Sequence, residues 1–79
     1  MKMKAKIYTA PSCVWCTKAK ELLATHNIPF EEITVGKDML KEEFLAFFKE
    51  AGVTSVPQIY IDGNFIGGYV NLTKHLGYE

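Results

Sequence analysis

Cys13 and Cys16 are the only cysteines in this chain of 79 residues, and only Val14 and Trp15 separate them. Two thiols at that spacing can close a ring, so the local chemistry is a reversible dithiol–disulfide couple. The pair follows a strand-like run and opens a helix-like one. A thiol at a helix start sits against unpaired backbone N–H groups and the positive end of the helix dipole. Both favour the thiolate, the form that attacks disulfides. Cys13, nearer the helix start and more exposed, is the expected low-pKa nucleophile. Cys16, one turn in and more buried, is the expected resolving thiol. Cys13 would attack a substrate disulfide; Cys16 would then attack the Cys13 sulfur and release the reduced substrate. Trp15 is expected partly exposed, where it can contact substrate.

A structural zinc site would need four soft ligands. His26 and His75 lack ligand spacing relative to each other, so no metal is expected. Nine lysines balance nine acids, and arginine is absent. A nucleic-acid binder would carry a basic excess, so that class is excluded. An anionic ligand must be held by backbone N–H groups, a helix terminus or lysine. No apolar run approaches the roughly 18 residues of a membrane span, and a close cysteine pair in a reducing compartment is more often catalytic than structural. A cytoplasmic monomer is expected, with residues 1–79 forming one domain. A chain this short buries only about 60% of its unfolded surface.

The elements that must position the thiols follow from periodicity. Lys4 to Thr9 reads as a strand, with Ala5, Ile7 and Thr9 on one face and Lys6 and Tyr8 on the other. Ala10-Pro11-Ser12 breaks it, and Ser12 is the expected N-cap of a helix from Val14 to about His26. The buried stripe of that helix is Trp15, Ala19, Leu22 and Leu23. Asn27 is a left-handed stop and Pro29 prevents continuation. A second strand, Pro29 to Val35, should run parallel to the first because a helix intervenes. Asp38 is the expected cap of a second helix running to about Ala51, with Met39, Leu40, Phe44, Leu45, Phe47 and Phe48 facing the core. Val56 to Ile61 forms a third strand, Asp62-Gly63 a two-residue hairpin turn, Asn64 to Ile66 a fourth strand, and Val70 to His75 a last helix. The fold class is α/β, in the order β-α-β-α-β-β-α, with a mixed four-stranded sheet flanked by three helices.

Two further stretches have double readings. A proline after Val56 suits the first residue of a strand; a cis bond there would turn the Val56 N–H and C=O toward a peptide-like ligand. Gly67-Gly68 is either a tight turn or a place of close backbone approach, with the N–H groups of Tyr69, Val70 and Asn71 receiving a carboxylate.

Together these stretches resemble the glutaredoxin family, within the thioredoxin-like fold. Ile7 through Lys20 is similar to its redox-site signature, Thr54 through Gly63 to its cis-proline strand, and Gly67-Gly68 with Asn71-Leu72 to its glutathione-binding turn. The resemblance implies glutathione as reductant co-substrate and partner, disulfide-bearing proteins such as ribonucleotide reductase as substrates, and a groove of Trp15, Ser55, Val56, Pro57, Gly68, Tyr69, Val70 and Asn71. Three positions depart from the family's pattern. Val14-Trp15 replaces Pro-Tyr, which leaves a glutathione-ligated [2Fe–2S] carrier as an alternative. Ala10 replaces a basic residue, so Lys18 or Lys49 would have to meet the glycine-end carboxylate. Asn71 replaces an acid. A redoxin fed by thioredoxin reductase is the other alternative.

Overall fold

The computed structural model describes residues 3–77. Seven elements follow one another: β1 (Ala5–Thr9), α1 (Val14–Thr25), β2 (Phe30–Thr34), α2 (Lys41–Phe47), β3 (Gln58–Ile61), β4 (Asn64–Gly67) and α3 (Tyr69–His75). The sheet order is β2-β1-β3-β4. β1 pairs in parallel with β2 and antiparallel with β3, and β3 pairs antiparallel with β4. This is the mixed four-stranded sheet with three helices expected from the order of elements.

Strand alternation divides the core into two layers. Ala5 and Ile7 of β1 and Ile59 and Ile61 of β3 pack with Ala19 and Leu23 of α1, Ile28, and Leu72 of α3. The intervening Tyr8 faces the other way, with Phe44 and Phe48, against Ile33, Val56 and Tyr60. Each fully buried Ile or Leu in the first layer contributes roughly 1.5–3 kcal/mol of burial free energy. The first layer therefore clamps α1, with the thiols at its start, against the middle of the sheet.

The end of α1 is set by local chemistry. Asn27 adopts φ +57°, as a left-handed stop requires. Its N–H donates to the Ala24 carbonyl at 3.0 Å, and the Ile28 N–H donates to the Leu23 carbonyl at 2.9 Å. This is a Schellman closure, and it delivers the buried Ile28 into the same core as Leu23. The start differs from expectation. Cys13, not Ser12, is the N-cap: its Sγ accepts from the Cys16 N–H at 3.1 Å. Ser12 turns the chain instead, at φ +60°. The buried face of α1 is Cys16, Ala19 and Leu23; Trp15 is outside it.

α2 is shorter than its apolar spacing predicts. Asp38 does not cap it. The Asp38 carboxylate accepts from the Thr34 N–H at 3.0 Å and closes a turn after β2. The helix begins after Leu40, whose N–H donates to the Glu43 carboxylate at 2.9 Å. Leucine has no oxygen to complete a capping box. Beyond Phe47 the chain continues as turns to Gly52, at φ +71°. Leu40, just before the helix, and Phe47, its last residue, are exposed rather than in the core.

The β3–β4 connection is the two-residue turn read from Asp62-Gly63, with both φ values positive, +52° and +82°. In β4, Ile66 is the extra residue of a bulge, since Ile59 pairs with Gly67 and Tyr60 with Phe65.

Candidate active site

The loop from β1 turns at Ser12 and meets α1 at its first turn, so the thiols sit at the carboxyl end of a central strand. Cys13 and Cys16 are joined as a disulfide, with Cα atoms 5.2 Å apart. Cys13 is half-buried, while Cys16 is only 2% exposed. The Thr17 N–H already donates to the Cys13 carbonyl at 3.2 Å. The first-turn N–H groups precede that ladder and have no intrahelical partner. One of them, from Cys16, is spent on the Cys13 sulfur. A thiolate at Cys13 would keep that donor and the field of the helix start.

Trp15 is 55% exposed, and its ring centroid lies 5.3 Å from that of Tyr69. Lys18 lies over the outer side of that indole, its Nζ 5.8 Å from the centroid. The Trp15–Tyr69 contact bridges the start of α1 and the start of α3. At the latter, Gly67 and Gly68 differ sharply. Gly67 has φ +118°, and a Cβ there would lie 2.8 Å from the Asn71 side chain. Gly68 has φ −89°, and a Cβ there would rest 3.5 Å from the Pro57 carbonyl oxygen, an ordinary contact. Asn71 caps this turn: its Oδ1 accepts from the Gly68 N–H at 3.2 Å. Val70 is exposed. The Val56–Pro57 peptide is cis, and the Gln58 amide holds the preceding loop by donating to the Ser55 carbonyl at 2.9 Å.

Two cavities share Ala10 in their walls, and the disulfide borders the first of them. One, of about 570 Å³, is walled by residues that include Thr9, Ser12, Cys13, Cys16, Thr17, Lys20, Glu32 and Thr34. The other, of about 320 Å³, is walled by residues that include Ala10, Lys41, Phe44, Thr54, Ser55 and Val56. In the first cavity the Glu32 carboxylate accepts from the Thr9 hydroxyl at 2.7 Å and pairs with Lys20 at 3.1 Å. The Thr9 hydrogen bond, and then Lys20, hold its carboxyl below the ordinary glutamate range against an opposing effect of burial. Among the described residues, no group of three or more His, Cys, Asp or Glu is arranged to hold a metal ion.

A family model described as glutaredoxin matches residues 5–66. This chain belongs to the glutaredoxin family. Relatives agree over most of its length. An uncharacterized glutaredoxin-like 8.6 kDa protein of the rubredoxin operon of Clostridium pasteurianum is 46% identical over 65 residues, covering 81% of this chain and 83% of that protein. Glutaredoxin 3 of Escherichia coli K12 is 40% identical over 63 residues, covering 80% of this chain and 74% of the other. In three dimensions, glutaredoxin 1 of Francisella tularensis superposes with a TM-score of 0.77 at 32% identity, covering 94% of this chain and 92% of that one. With its close cysteine pair, this glutaredoxin is a thiol–disulfide oxidoreductase.

The structure brings Trp15 to Tyr69, and Gly68 to Pro57. Ser55 and Val56 line the second cavity rather than the one walled by the cysteines. Neither Lys18 nor Lys49 lines the cavities beside Ala10; Lys20 lines the first and Lys41 the second. Sequence reasoning also missed Thr9, Lys20 and Glu32 as members of the cysteine chamber. Only one signal for them exists in the sequence: Lys20 is four residues after Cys16, hence on the same helical face.

Proposed function

We propose that this glutaredoxin uses glutathione to reduce protein disulfides and glutathione mixed disulfides. Cys13 is the nucleophile and Cys16 the resolving thiol. Attack by Cys13 gives a mixed disulfide, and attack by Cys16 on the Cys13 sulfur releases the reduced substrate. Glutathione thiolate then cleaves the Cys13–Cys16 disulfide at Cys13, and a second glutathione removes the first as glutathione disulfide. Where the substrate is itself glutathionylated, Cys13 suffices.

The observation that carries the glutathione part is Gly68. Neither its φ nor the space around it calls for glycine, yet it lies beside Pro57, where a peptide-like ligand would run. The absence of a side chain there leaves room for such a ligand. Trp15 and Tyr69 would flank it, and the Val56 backbone would pair with its cysteinyl part. Lys41 supplies the cation on the side where Ala10 has none. The reading includes a cytoplasmic monomer acting on disulfide-bearing proteins, with ribonucleotide reductase a substrate to assay.

The test is turnover of the purified protein with each electron source in turn. Glutathione with its reductase should sustain reduction of a glutathionylated thiol and of a protein disulfide. Turnover with thioredoxin reductase alone, and none with glutathione, would replace this reading with the thioredoxin-reductase-coupled one.

A further inference from the structure

Cys16 has a proton problem that its burial creates. At 2% exposure it has little direct contact with bulk water, and burial favours the neutral thiol over the thiolate. Yet it must lose its proton to attack Cys13, and regain one whenever a reductant opens the disulfide. Any acceptor has to be reached from the space that Cys16 borders. That space is the chamber of about 570 Å³. A water occupies about 30 Å³ of liquid, so the chamber can hold a water path.

Among the described residues, the wall of this chamber carries two ionisable side chains besides the cysteines, Lys20 and Glu32. They come from different elements and meet on one atom. Thr9, only 1% exposed at the end of β1, gives its hydroxyl hydrogen to Glu32 Oε2 at 2.7 Å. Lys20, one turn beyond Cys16 on α1, reaches the same Oε2 at 3.1 Å. Oε1 takes part in neither bond. An ion pair between a helix and an edge strand is ordinarily a surface tie that adds little to stability. This one is anchored by a buried threonine and lines the same cavity as both cysteines.

We propose that Glu32, positioned by Thr9 and Lys20, is the group through which Cys16 exchanges its proton during disulfide exchange. The proposal rests on the reading of Cys16 as the resolving thiol. In the resolving step the Cys16 S–H bond breaks and its proton passes through chamber water to the Glu32 carboxylate. The electron pair left on Cys16 forms the bond to the Cys13 sulfur. The bond from Cys13 to the substrate sulfur breaks, and its electron pair leaves on that sulfur. The substrate is reduced, the two cysteines are oxidised, and Glu32 returns its proton to water or to the departing thiolate. In the reverse direction a reductant thiolate attacks Cys13, Cys16 leaves as a thiolate, and it takes a proton from chamber water, relayed by the same carboxylate. Thr9 and Lys20 are positioning residues: they keep the carboxylate ionised and facing the chamber.

The test pairs Glu32→Gln with Lys20→Met and Cys16→Ser, each in two assays from pH 6 to 9. Glutamine keeps an oxygen for Thr9 and Lys20 but takes no proton at working pH. Glu32→Gln should slow protein-disulfide reduction about 10- to 100-fold at pH 7, within the usual reach of acid–base assistance. The deficit should shrink toward pH 9, where hydroxide in the chamber water can take the proton instead. Removal of glutathione from a small mixed disulfide, which needs only Cys13, should keep its rate. Lys20→Met leaves the carboxylate and should lose less. Wild-type rates in Glu32→Gln would overturn the proposal, as would equal losses in both assays at every pH, or a Lys20→Met deficit matching that of Glu32→Gln. If Cys16→Ser retains protein-disulfide reduction, the resolving role fails and the Glu32 role with it. If Cys16→Ser loses that activity while Glu32→Gln keeps it, the Glu32 role alone fails.

Discussion

The two sulfurs of the disulfide face different surroundings. On the Cys13 side lie backbone donors, the exposed Trp15 and Val14, and the Gly68–Pro57 shelf directly before Tyr69. Behind Cys16 lies a chamber with a buried threonine and a paired glutamate and lysine. The outer region is built from main chain and aromatic rings, which suits a peptide-like visitor. The inner one is built from side chains that hold charge, which suits proton movement. One helical turn separates them. The comparison teaches that the spacing of the pair does more than allow a ring: it puts each thiol under separate control.

The largest expected effect breaks this comparison at the sulfurs themselves. Cys13→Ser should abolish all exchange. Cys16→Ser should lose protein-disulfide reduction but retain much of its activity on glutathione mixed disulfides, measured in coupled assays side by side. Equal loss from Cys16→Ser in both would mean that the two sides are not separable.

A smaller effect sharpens the outer region. Gly67→Ala forces a side chain into φ +118° and against Asn71; backbone strain of this kind costs about 1–3 kcal/mol. At this chain length each kcal/mol lowers Tm by about 4–8 °C. Gly68→Ser has no such clash and places a good capping residue at the start of α3, so its Tm should hold within a few degrees. Its KM for glutathionylated substrate should rise several-fold. A KM unchanged by Gly68→Ser would remove the shelf from the ligand site.

The smallest effect concerns the inner region. Because Thr9 and Lys20 depress the Glu32 pKa in the folded state, their stabilisation is fully present above the ordinary glutamate value of about 4.3 and fades as pH falls through the lower, folded value. The stability gap between wild type and Glu32→Gln should therefore be constant near neutrality and close below about pH 4. Since the pair is about one-third exposed, the gap should stay within about 1 kcal/mol. Chemical denaturation across pH measures it; a gap that widens on acidification would contradict the assigned charge state.

Much of the molecule could be read along the chain, and the failures have physical causes. Asn27 stops α1 and Asp62-Gly63 turns the hairpin because these residues act on their own backbone. α2 misled because Met39, Leu40, Phe47 and Phe48 keep a helical apolar rhythm that the chain does not follow. Asp38 satisfies the turn after β2 instead of a helix start, so the helix begins later and Leu40 is left before it, outside the core. The Ser12 expectation failed because a sulfur, not the preceding hydroxyl, occupies the capping position.

The sequence by itself determined the dithiol, its place after a strand and before a helix, and the order of the seven elements. Those are properties of neighbours within a few residues, where propensity, capping and turn chemistry act directly. Only tertiary structure decided that Glu32 meets Thr9 and Lys20, that Lys41 shares a cavity with Ala10, and that Gly68 lies against Pro57. These meetings depend on strand register and on which face of the sheet each helix covers. A one-residue slip would turn Glu32 to the opposite face of the sheet.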